Sequence, residues 1–154
     1  MLKILTFAVC EKIIIDDNNN ASLVVLMQNI HGSLIGKKDV EIPKNAISPQ
    51  AWAVYAIWTA AQEDIGKSFV QTVQVFWPDK SEFKRAEVPF TVTERTHQNR
   101  INVIGFPIGQ PGTVIVRLWL EENSKPITEP LEWPINVALE LGDKDERKQA
   151  TSPA

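Results

Sequence analysis

The chain has 154 residues, 44% hydrophobic and 23% charged, which suits one globular domain able to bury a core without a disulfide or a metal. Its 16 basic and 19 acidic side chains leave a formal charge of −3, which argues against a duplex nucleic-acid binder with its basic stripe. One cysteine and two histidines exclude a disulfide framework and a multi-thiolate zinc site, and leave little from which to build metal or triad chemistry.

In chain order, the opening run Ile4 to Cys10 is too short for a signal peptide. It also carries Val9 where a lipid-anchor motif needs a small residue, so it reads as part of a first strand, residues 2 to 9. No stretch approaches the ~20 apolar residues of a membrane span. The expectation is a bacterial, cytoplasmic protein with neither a membrane nor a nucleic-acid partner. A short strand at 13–15, the polar turn Asp16 to Asn20 and a return strand at 22–30 make a hairpin. Residues 31 to 50, interrupted by Gly32, Gly36, Pro43 and Pro49, read as a loop. Residues 51 to 61, AWAVYAIWTAA, hold the alanines of a helix, but their alternating Trp, Val, Tyr and Ile favour a strand. Strands at 69–77 and 82–93 flank the turn Pro78 to Ser81. A short strand at 101–104, the loop GFPIGQPG, a strand at 113–122, a turn at 123–125 and a closing strand at 131–141 complete the series. Eight or nine strands, with a turn signal about every 8–12 residues, predict an all-β, antiparallel β-sandwich. It occupies residues 1 to 142. Residues 143 to 154 have no large apolar side chain and read as a solvated tail.

Alternation along each strand assigns the faces. Val114, Val116, Leu118 and Leu120 point inward, as do Leu131, Trp133, Ile135, Val137 and Leu139 of the last strand. Phe69, Val73, Val75 and Trp77 join them, with Thr72 and Gln74 outward; Ala86, Val88, Phe90 and Val92 complete the inner set. Residues 51 to 61 are apolar on both sides, so a loop of the chain or a partner is expected to cover the second face. The outward strip Ile115, Arg117 and Trp119 is the candidate interaction site, because tryptophan and arginine are the common anchors of interfaces. Three arrangements are open for it: cover by a partner, cover by the loop 31–50, or a half-exposed Trp119 with Arg117 stacked over it as a cation–π pair.

No residue pattern assembles a catalytic, metal or cofactor site. Cys10 has a lysine two residues away but no histidine near it, and reads as a buried structural thiol. His31 and His97 lie far apart in the chain. Asp16 and Asp17 with Asn18 to Asn20 lack the alternation and distal glutamate of a calcium loop, and read as a plain turn. Residues 109–112, GQPG, lack the lysine and hydroxyl of a phosphate loop.

The segments CEKIIIDDNNNASLVVLMQNI, PKNAISPQAWAVYAIW, VQVFWPDKSEF and NVIGFPIGQPGTVIVRLWLEENSKPITEPLEWPINV occur here in that order. In this pattern the chain, over residues 2 to 140, resembles an uncharacterised family of small bacterial and phage-associated proteins regarded as immunoglobulin-like β-sandwiches. The resemblance implies that fold and supplies no activity. The function expected is a non-catalytic protein-interaction or structural module, self-associating or bound to another protein, without a cofactor. The alternative is a carbohydrate-binding sandwich that uses exposed aromatic rings, since the chain holds five tryptophans.

Overall fold

A computed structural model of the chain describes residues 1–35 and 42–142. The expected tail, 143–154, and the middle of the expected loop, 36–41, lie outside the described residues. The strands are β1 (Lys3–Ile15), β2 (Ala21–Leu26), β3 (Asn29–Ile35), β4 (Ile47–Thr59), β5 (Ser68–Phe76), β6 (Glu82–Thr91), β7 (Thr96–Pro107), β8 (Gly112–Glu122), β9 (Lys125–Pro126) and β10 (Leu131–Gly142). A first sheet has the order β2-β1-β4-β7, and a second the order β3-β10-β8-β5-β6, with β9 added to β8. Two sheets built from strands with one strongly apolar face can only bury those faces against each other. Trp52, Val54 and Trp58 of β4, Val73 and Val75 of β5, Val114, Val116, Leu118 and Leu120 of β8, and Ile135 and Val137 of β10 form the shared core.

The all-β sandwich expected from the alternation is present, and residues 51–59 are strand. Purely antiparallel pairing is corrected at one place: β3 runs parallel to β10, from Asn29 beside Asn136 to Ile35 beside Gly142. The expected loop therefore begins with a strand. Gly32 obscures it in the sequence, yet it pairs with Leu139 of β10, whose Cδ2 lies 2.8 Å from where a Cβ would stand. The expected single strand 22–30 is two strands in different sheets. Met27 donates its N–H to Val9 O of the first sheet (2.9 Å), while Gln28 O accepts from Asn136 N of the second (2.9 Å). Trp133 Nε1 also donates to Met27 O, at 2.6 Å. Two consecutive residues thus carry the chain across the sandwich, with both Met27 backbone groups and the Gln28 carbonyl hydrogen-bonded.

The second face of β4 is covered by the chain itself. Ala53 and Tyr55 are 1% and 4% exposed, although they alternate with the core-facing Trp52 and Val54. Tyr55 Oη donates to Gln98 Oε1 (2.8 Å), and Gln98 Nε2 reaches Asn19 O at 3.5 Å. Asn19 is in the β1–β2 turn and Gln98 is on β7, with β4 between β1 and β7. The hairpin tip therefore lies over the outer face of the first sheet. The turn is held by Asp16, whose Oδ1 accepts from the N–H groups of Asn18 and Asn20, both at 2.9 Å. These hydrogen bonds, led by that from Asn20, hold the Asp16 carboxyl below its ordinary value.

Candidate interaction surface

The strip named from the sequence lies on the outer face of the second sheet. The strict alternation of β8 puts Val114, Val116, Leu118 and Leu120 at 0% exposure in the core, so Ile115, Arg117 and Trp119 must face the other way. Register then supplies their neighbours. Phe76, Gln74 and Thr72 of β5 lie beside Ile115, Arg117 and Trp119. Pro134 and Glu132 of β10 lie beside Ile115 and Arg117 on the opposite flank. Arg85 of β6 sits beside Gln74.

Arg117 directs Nη2 and Nε to Glu132 Oε1, at 2.9 and 3.3 Å, and its guanidinium stands 4.9 Å from the centre of the Phe76 ring. Trp119 is only 8% exposed. Its Nε1 donates to Glu121 Oε1 (2.9 Å), and Arg85 lies 5.5 Å over its ring. Arg85 in turn meets Glu87 at 3.3 Å and Glu121 at 3.9 Å. The face is thus an alternation of aromatic ring, arginine and carboxylate across four strands.

This arrangement differs from the expected stacking of Arg117 on Trp119. Each arginine reaches a ring on another strand instead: Arg117 takes Phe76, diagonal to it on β5, and Arg85 of β6 extends across β5 to the Trp119 ring, distances that a long side chain spans. Nor is Trp119 half exposed. Among the described residues its surroundings come from β5, from β6, and from Pro126 and Pro130 after the β8 turn.

Two hollows adjoin on this face. The larger, about 770 Å³, is lined by Phe76, Ile115 and Arg117 together with Pro78, Lys80 and Pro111. Gly112 at φ +133° matters here, because a Cβ would lie 3.0 Å from Pro78 where the β7–β8 loop meets the β5–β6 turn. The smaller, about 290 Å³, lies between Arg85, Trp119 and Pro130. Arg117 lines both. The structure therefore brings together all three predicted residues and adds Phe76, Arg85, Glu121 and Glu132. The aromatic–turn–basic pattern FWPDKSEFKR carried the signal for Phe76 and Arg85, but only strand register places them beside β8.

The remaining reactive side chains are dispersed. Cys10 is fully buried, and burial raises its thiol pKa. His31 is on β3 and His97 on β7, at opposite margins of the two sheets. His97 Nε2 contacts Asn99 Oδ1 at 2.8 Å and stacks on Phe90 with ring centres 4.3 Å apart. Asn99 Nδ2 and Trp58 Nε1 both donate to Gln71 Oε1, at 3.0 and 2.8 Å. Trp58 can only donate, which fixes the Gln71 amide, then the Asn99 amide, and makes His97 Nε2 the donor to Asn99. The GQPG loop is a clasp: Gln110 Nε2 donates to Lys44 O (3.3 Å) and Asp79 Oδ2 (3.2 Å). Among the described residues, no helix is long and apolar enough to cross a membrane. No protein-family model and no curated protein matches the chain.

Proposed function

We propose that the chain is a non-catalytic interaction module that docks a protein partner on the outer face of its second sheet, around Arg117. The observation that carries this reading is the meeting of two hollows at Arg117, between the Phe76 and Trp119 rings. Aromatic and arginine side chains held in place by their neighbours lose little entropy when a partner covers them, which is the character of binding hot spots. The carbohydrate reading is less well supported: a sugar stacks on a free ring face, and here Arg117 stands over Phe76 and Arg85 over Trp119. The strand order supports an immunoglobulin-like assignment, with β5–β6 and β8–β10 in one sheet, β4–β7 in the other, and β3 parallel to the final strand. A bacterial cytoplasmic setting, and kinship with the small phage-associated sandwiches, belong to the same reading. Its support is the single buried thiol, which suits a reducing compartment.

The test is quantitative co-purification from the native host with the wild-type chain, Arg117→Ala and Trp119→Phe as baits, with sedimentation of each bait alone. A partner retained by the wild type and lost by Arg117→Ala, with the melting temperature kept, supports the reading. Identical partner sets for all three remove it.

A further inference from the structure

We propose that the segment docked on the Arg117 face is acidic: a carboxylate of the protein partner sits on Lys80, beside an apolar side chain seated in the larger hollow. This inference rests on the docking reading above and names the chemistry of its occupant. The hollow is lined by two cations, Lys80 and Arg117, and by one acid, Glu132. Arg117 directs Nε and Nη2 to Glu132 Oε1, at 3.3 and 2.9 Å. Among the described residues, Lys80 forms no salt bridge. Asp79, its neighbour in sequence, is engaged elsewhere: its carboxylate accepts from Ser81 N (2.9 Å) and Gln110 Nε2 (3.2 Å). The hollow therefore holds an uncompensated positive charge in a chain whose formal charge is −3.

The backbone gives a second, independent reason to single out this lysine. Trp77 N–H donates to Ser81 O (2.9 Å) and Lys80 N–H to Trp77 O (2.8 Å), which closes the β5–β6 turn with Lys80 at φ +72°. Glycine takes that conformation without the Cβ penalty that lysine carries. A strained residue in the wall of a hollow points to a use for its side chain.

Shape and charge together select the occupant. Phe76, Pro78, Pro111 and Ile115 also line the hollow, so an apolar side chain is buried there. Arg117 borders the second hollow as well, so an extended peptide segment reaches both where a small acid fills one. Glu132 limits the charge of the occupant. A phosphate dianion in the same hollow would be repelled by it, whereas a single carboxylate matches the charge of Lys80.

The probes are three capped octapeptide libraries, alike except that a fixed phenylalanine is followed by glutamate, glutamine or phosphoserine. Their affinities for the full chain are measured by fluorescence anisotropy, and amide shifts map where they sit. The glutamate library should bind about fivefold more tightly than the glutamine library, the worth of one partly exposed ion pair, and should shift the amides of Lys80 and Thr113. In Lys80→Gly that ratio should fall to about one, while the melting temperature holds or rises because glycine suits φ +72°. Lys80→Arg should keep the ratio, and Lys12→Gln, on β1 of the other sheet, should not change it. Equal affinity for glutamate and glutamine, tighter binding of phosphoserine, no saturation by about 1 mM, or a ratio that survives Lys80→Gly would each overturn the proposal. The docking reading fails separately, when Arg117→Ala leaves the co-purified partners unchanged. A partner lost with Arg117→Ala but indifferent to Lys80→Gly keeps the docking face and overturns the acidic occupant alone.

Discussion

The most demanding test of the fold concerns the polar cluster inside it. Gln71 and Trp58 are 0% and 1% exposed, and Asn99 is 5% exposed, so none of their polar groups can turn to solvent. Gln71→Leu removes the acceptor of two buried donors, Trp58 Nε1 and Asn99 Nδ2. Stranding each costs about 1–3 kcal/mol. The same substitution deletes Gln71 Nε2, which has no acceptor among the described residues, and that relief returns about 1–3 kcal/mol. The net expectation is a loss of about 1–3 kcal/mol for a change that makes the core more apolar. Trp58→Phe should cost about 2–3 kcal/mol, from one hydrogen bond and the space left by the smaller ring. The double variant is the informative one. With Trp58 gone, Gln71→Leu strands only Asn99, so the pair should cost less than the sum by about 1–2 kcal/mol. Urea denaturation of the four proteins, followed by fluorescence of the remaining tryptophans, gives the cycle. A coupling energy below about 0.5 kcal/mol would mean that the two side chains do not share this bond in solution and that the register of β4, β5 and β7 is misassigned.

Leu118→Ala, at a position with 0% exposure, should destabilise by about 2–5 kcal/mol in urea melts, and a loss under 1 kcal/mol would contradict its place in the core. Arg117→Ala breaks a partly exposed ion pair and should cost less than about 1 kcal/mol in the monomer; an equal loss at both positions would mean that β8 is as tightly buried outside as inside. The Asp16 carboxylate is favoured by backbone N–H donors, so its folded pKa is depressed. The stability it adds is therefore present above the ordinary value of 3.8 and fades as pH falls through the lower folded value. NMR titration of the Asn18 and Asn20 amides should give a midpoint below 3.8, and one at or above 3.8 would remove the turn contacts. Cys10, buried and with a raised pKa, should react with an aromatic disulfide only as fast as the chain opens, and rapid labelling of the native protein would show that the hairpin does not cover the first sheet.

Alternation carried the fold as far as it did because one side of most strands meets only the core. Val114, Val116, Leu118 and Leu120 are all at 0% exposure, as a period of two requires. The same rule gives the face but not the burial where both sides of a sheet are covered. Thr72 is on the outer face, as alternation assigns it, yet it is fully buried, because it lies beside Trp119 on a face roofed by Arg85 and its carboxylates. Residues 96–100, THQNR, look like a loop, yet they begin the twelve-residue β7 and send Asn99 inward to Gln71. A hydrogen bond to Gln71, not hydrophobicity, accompanies the burial of Asn99, and a pattern built on apolar spacing is blind to it.

The candidate site shows the same division. Ile115, Arg117 and Trp119 were legible because all three lie on one strand, where spacing alone sets the face. Phe76, Arg85 and Glu132 were not, because they reach Arg117 and Trp119 through pairings between strands that are distant in sequence. That difference changes the chemistry expected of the surface. An Arg117–Trp119 pair on its own would leave Phe76 bare for a flat ligand. With each arginine over a ring and against a carboxylate, the face instead offers a fixed set of cations and acceptors with apolar floors between them. A partner would have to match that pattern point by point, so its affinity should fall with salt if the arginines are read directly, and stay flat if the hollows alone are filled.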